Sequence, residues 1–104
     1  MRFSRAVERP GVLERLFTTA EREDAPTERL AGRFAAKEAL AKSLGAPHGL
    51  VWTDVEVLRD DLGKPYFVFY GTVAERVAAL GIANVHLSIT HDAGVAAAMV
   101  VCES

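Results

Sequence analysis

The longest run of helical periodicity in this 104-residue chain spans Glu28 to about Leu44, where Leu30, Phe34, Ala41 and Leu44 share one stripe and Leu40 lies at its edge. Thr27 is placed to cap the first turn of that helix, and Gly45 stands where a helix of this kind ends. Three shorter helical segments are predicted ahead of it. Residues 1 to 9 read as a helix halted before Pro10, residues 12 to 17 (VLERLF) give a second turn, and Thr18 followed by Glu21 has capping-box spacing for a third. Asp24, Ala25 and Pro26 then break the chain.

Beyond the turn at residues 45 to 50 the period shortens to two. Asp54 to Leu58 and Tyr66 to Tyr70 alternate β-branched and aromatic residues with others on either side of RDDLGKP, the pattern of a hairpin. Gly71 ends the second strand, Thr72 is placed to cap a helix to about Leu80, and Gly81 closes it. Val85, Leu87 and Ile89 then alternate with His86, Ser88 and Thr90, so one face of a strand is buried and His91 inherits the buried parity at its end. Val95 to Cys102 is too uniformly apolar for an exposed edge and reads as a central or interface strand. Helices and hairpins without repeats or linkers predict one α+β domain over residues 1–104, with an antiparallel sheet packed on a long central helix.

Composition narrows the function classes. The chain is 50% hydrophobic and 25% charged, which is globular and soluble, and one domain of this size buries roughly 60 to 70% of its unfolded surface. With neither an apolar run of membrane-spanning length nor a signal pattern at its start, it reads as cytoplasmic and without a membrane partner. The net charge of −2 argues against a nucleic-acid partner, although Arg2, Arg5, Arg9, Arg15 and Arg22 give the first fifth of the chain a local positive bias. Cys102 has no cysteine to pair with and reads as a small buried hydrophobe, and His48 as a loop histidine without a chemical task.

The long helix carries the candidate chemistry. Lys37 falls inside its apolar stripe with Arg33 one turn earlier on the same side, and Glu38 and Lys42 form a second polar line. A lysine among core positions must either snorkel to water or meet an opposite charge. Three cations and a carboxylate within ten residues point further, to a site for a polyanion and a metal, since cations hold phosphate oxygens and a carboxylate holds Mg²⁺.

Three motifs, RFAAKEALAK (33–42), DVEVLRDDLGKPY (54–66) and VHLSITHD (85–92), occur in an order and spacing that resemble the holo-[acyl-carrier-protein] synthase family, the small 4′-phosphopantetheinyl transferases, over essentially the whole chain. The resemblance implies that family's fold and a Mg²⁺-dependent transfer of 4′-phosphopantetheine from coenzyme A to a serine of acyl carrier protein. It implies that Glu38 ligates Mg²⁺, that Lys37 and Lys42 contact the diphosphate, that Arg33 and His91 hold the phosphate on the ribose, and that the Gly63-Lys64-Pro65 turn lies beside the adenosine portion. It further implies that Arg2, Arg5 and Arg9 dock the acidic carrier protein and that three copies assemble with sites at their boundaries. The family's opening G-I-D strand, whose aspartate is a second metal ligand, would precede Met1, so the expectation here is a metal held through Glu38, or else a catalytically silent binder of coenzyme A or carrier protein.

Overall fold

A computed structural model describes residues 9–24, 27–92 and 94–104. Two short helices open it, α1 (Val12–Leu16) and α2 (Thr19–Asp24). The expected capping box starts α2: the Thr18 N–H donates to Glu21 Oε1 at 3.0 Å, and the Glu21 N–H donates back to Thr18 Oγ1 at 3.3 Å. The helix expected over residues 1 to 9 falls outside the described residues except for Arg9, which is exposed; Arg2 and Arg5 therefore lie outside them too, as do Ala25 and Pro26 of the expected break.

The long helix is α3 (Thr27–Ser43), with Gly45 in the left-handed region beyond its end. Its buried stripe is rotated from the expected one. Leu30, Arg33, Ala36, Lys37, Leu40 and Leu44 are buried, so Leu40 is central, whereas Phe34 and Ala41 are half-buried flanks. The buried face thus holds both cations, Arg33 and Lys37, beside Leu40.

A single 3-10 turn, Trp52–Asp54, leads into an antiparallel hairpin of β1 (Val55–Arg59) and β2 (Pro65–Phe69), with Val57 opposite Phe67. Helix α4 (Gly71–Ala79) follows, but Thr72 does not cap it as expected. The cap comes from Asp54 on the far side of the hairpin, whose Oδ2 accepts from the Thr72 N–H at 2.8 Å and the Thr72 hydroxyl at 2.7 Å. A Cβ on Gly71 would lie 2.6 Å from that oxygen, so only glycine lets the carboxylate approach.

The last two strands, β3 (Asn84–Asp92) and β4 (Val95–Glu103), form a second antiparallel ribbon, with Leu87 opposite Val100. Its inner face, Val85, Leu87, Ile89, Ala98, Val100 and Cys102, is half-buried, with α3 packed on the ribbon. The apolar core lies where Leu40 and Leu44 of α3 meet Val55 and Val73, with Val85, Val100 and Cys102 packed against it. Among the described residues β3 and β4 pair only with each other, so β4 is not central within one chain; Val95, Met99 and Val101 face outward and exposed. The α+β expectation holds, as two antiparallel ribbons about one long helix.

Candidate functional site

Charged residues of α3 part into two groups by direction. Lys37 is 1% exposed, and its ammonium donates to Glu21 Oε1 at 2.7 Å, to the Leu16 carbonyl at 2.7 Å and to the Trp52 carbonyl at 3.0 Å. Those three acceptors occupy all three of its N–H donors. It also lies 5.1 Å from the centroid of the Phe17 ring. Lys37, expected at a diphosphate, thus meets its opposite charge inside the protein while still lining the cavity that Glu38 and Lys42 share. Burial pushes the Lys37 ammonium below its usual range, and the Glu21 carboxylate opposes that shift.

Glu21, 0% exposed, is fully engaged as well, since its Oε2 accepts from the Val57 N–H at 2.9 Å. Its place in the capping box was legible in the sequence, but its pairing with Lys37 was not, because 16 residues separate them. The network continues through Thr18, whose hydroxyl donates to Glu56 Oε2 at 2.6 Å, and ends where the Tyr70 hydroxyl donates to Glu56 Oε1 at 2.7 Å. The two hydroxyls hold the Glu56 carboxyl below its ordinary range, and the same carboxylate raises the Tyr70 hydroxyl. Arg33, also buried, donates to the Asp24 carboxylate and to the Glu21 carbonyl, and its hydrogen bond and charge hold Asp24 below the usual carboxylate range.

Glu38 and Lys42 point the other way. Both are exposed, and both line a cavity of about 390 Å³ whose walls include Ala41, Leu50, Val51 and Trp52. His48, read from the sequence as a bystander, stands at the same cavity. A second cavity of about 470 Å³ is lined by Arg33, Gly63, Pro65 and His91, together with Arg29 and Arg59. No residue lines both. Seven of the eight expected ligand-facing positions thus divide between two hollows of one chain: Lys37, Glu38 and Lys42 in the first, Arg33, Gly63, Pro65 and His91 in the second. Lys64 is exposed on the turn between β1 and β2 and lines neither.

Arg29 and Arg59 look like ordinary surface cations in the sequence until the fold brings them to His91. His91 keeps the inward parity of β3 but is exposed at its end, resting against α3. Gly32 makes that approach possible: a Cβ there would stand 2.7 Å from His91 Nε2 and 3.0 Å from Ile89 Cγ2.

With the fold and both hollows in place, comparison with known proteins shows that this chain belongs to the 4′-phosphopantetheinyl transferase superfamily, whose family model matches residues 1–98. Among its relatives, a holo-[acyl-carrier-protein] synthase of Frankia casuarinae is 60% identical over 95 residues, 91% of this chain and 80% of that protein. In structure the chain is similar to the Chronobacterium ammoniagenes ACPS–CoA complex, with a TM-score of 0.78 and 34% identity over 92% of this chain and 84% of that one. It is also similar to a holo-(acyl-carrier-protein) synthase from Bacillus anthracis in complex with CoA (3′,5′-ADP), with a TM-score of 0.75 and 35% identity over 100% of this chain and 90% of that one.

Proposed function

We propose that this chain is a holo-[acyl-carrier-protein] synthase, moving 4′-phosphopantetheine from coenzyme A to a serine of apo acyl carrier protein and leaving adenosine 3′,5′-bisphosphate. Family membership and relatives of that name support the reading. The observation that carries it in this chain is the division of charge on α3: Glu38 and Lys42 stay exposed in a cavity wall while their neighbours Arg33 and Lys37 are buried against protein acceptors.

In the transfer, the serine oxygen bonds to the phosphorus of phosphopantetheine as the bond to the bridging pyrophosphate oxygen breaks; the bisphosphate departs with that electron pair, and the serine hydroxyl gives up its proton to water. Positioning and charge neutralisation carry such a displacement. Lys42 is the cation available to the diphosphate oxygens. Arg33, partly neutralised by Asp24, and His91 hold the phosphate on the ribose, while the turn of Gly63, Lys64 and Pro65 flanks the adenosine. Among the described residues no cluster of three His, Cys, Asp or Glu side chains forms a cage for a metal. Mg²⁺ needs no such cage, because it commonly takes one or two carboxylates and fills its other positions with water and phosphate oxygens. Glu38, an exposed carboxylate one turn from Lys42, fits an ion shared with the substrate. When bound, Mg²⁺ draws charge from the diphosphate oxygens and stabilises the leaving group.

The two hollows also favour a homotrimer in which the basic hollow of one copy completes the Glu38–Lys42 cavity of the next, covering the exposed Val95, Met99 and Val101. Arg9, with Arg2 and Arg5, supplies positive charge for an acidic carrier protein. The setting is fatty acid biosynthesis in the cytoplasm. Incubating the chain with coenzyme A, Mg²⁺ and an apo carrier, then weighing the carrier, tests the reading: the carrier gains the mass of phosphopantetheine, and an unchanged mass refutes it.

A further inference from the structure

The buried pair of Lys37 and Glu21 binds together segments that are far apart in sequence. Glu21 joins the start of α2 to β1 through the Thr18 and Val57 N–H groups. Lys37 joins α3 to the last residue of α1 through the Leu16 carbonyl, and to the 3-10 turn through the Trp52 carbonyl. The last link bears on the cavity. Lys37, Glu38, Ala41 and Lys42 form its α3 wall, and Leu50, Val51 and Trp52 belong to the facing loop. The Lys37–Trp52 bond therefore ties one wall to the other, and the Phe34 and Trp52 rings, 5.4 Å apart between centroids, touch beside it.

The geometry points to Lys37 as a positioning residue: its bond to the Trp52 carbonyl fixes the width of the Glu38–Lys42 cavity, and Glu21 holds the ammonium in place to do so. A buried charged pair is poorly explained as a stabilising device, because an apolar replacement of similar volume is often as stable. A carbonyl on the facing wall, however, can be held by an ammonium and not by a methyl group. This rests on the reading that the cavity receives the diphosphate of coenzyme A.

The test uses the paired variant Glu21→Gln/Lys37→Met, which removes both charges together and so leaves no buried charge unpaired. Trp52 is the chain's single tryptophan, so its fluorescence reports on the facing wall directly. Relative to the parent protein, folded variant is expected to show Trp52 emission shifted to the red and more accessible to acrylamide. Its kcat/KM for coenzyme A is expected to fall by about tenfold or more, since misplacement of a reacting group by about an ångström costs up to 100-fold. Tyr70→Phe is the control: it removes the hydroxyl that donates to Glu56 at the far end of the network, lowers the melting temperature, and leaves Trp52 emission and kcat/KM unchanged.

Parental emission and parental kcat/KM in the folded paired variant overturn the proposal. So does an equal loss of kcat/KM in Tyr70→Phe, which would make the effect one of general stability. If the paired variant does not fold, Glu21→Gln/Lys37→Leu, which likewise offers no donor to the Trp52 carbonyl, is read by the same two measurements and the same criteria. Failure of the parent protein to modify the carrier would instead refute the transferase reading, and the Trp52 emission would still decide whether Lys37 holds the wall.

Discussion

Arg33 and Lys37 on the inner face of α3, and Glu38 and Lys42 on its outer line, lie within ten residues of one another yet live in different media. The inner pair is buried: Glu21 and two backbone carbonyls take all three donors of Lys37, and Arg33 is paired with Asp24 and the Glu21 carbonyl while still lining the second cavity; the outer pair is exposed in the wall of the first. The comparison teaches that a cation's use to a ligand depends less on its charge than on whether the fold has already supplied its acceptors. Lys37 and Lys42 carry the same group, and one of them is complete without a substrate.

Removing Lys37 alone should break this comparison most severely. Lys37→Ala strands the Glu21 carboxylate in the interior, and chemical denaturation is expected to show a loss of about 3–5 kcal/mol, as for other buried pairs broken on one side. Glu38→Gln is the mirror case. Its melting temperature should match the parent because the side chain is exposed, while transfer to the carrier falls by about 100-fold or more, the scale seen when one preorganised charge contact is lost from a reacting centre.

Gly32→Ala sharpens the comparison from the second cavity. The new methyl displaces the His91 ring at the strand's end, and the gain in helix propensity offsets most of the packing cost. Stability should change little, and the KM for coenzyme A should rise about tenfold, as for the loss of one hydrogen bond to a charged group.

The smallest effect concerns pH. Because the Glu56 carboxyl is held below its usual 4.5, the unfolded chain takes up that proton first as acid is added. The stability it contributes is present above about pH 4.5 and drains away as pH falls through the lower folded value. Glu56→Gln should flatten that part of the acid limb in a series of thermal melts at decreasing pH, and an unaltered limb would remove Glu56 from the account.

Much of the fold was legible because its signals are local. The capping box of Thr18 and Glu21, the hairpin on either side of residues 60–64, the long helix and the alternation in β3 each depend on spacing within a few residues, and each lies where that spacing placed it. The cap of α4 was misassigned to Thr72 because the Asp54 carboxylate that provides it is 18 residues away. The rotated stripe of α3 has a similar cause, since no helical pattern tells which of two neighbouring lysines has a partner waiting in the core. For the candidate site, the residue types and their order were visible in RFAAKEALAK and VHLSITHD, but not their division between two hollows, nor the arrival of Arg29 and Arg59 beside His91.

By itself, then, the sequence determined the elements, the family and the exposed acid-base line of Glu38 and Lys42, since periodicity and motif spacing act over one or two turns of chain. Only the tertiary structure decided that Lys37 belongs to Glu21, because burying an ammonium demands acceptors from every side, and those came from α1, α2 and the turn before β1.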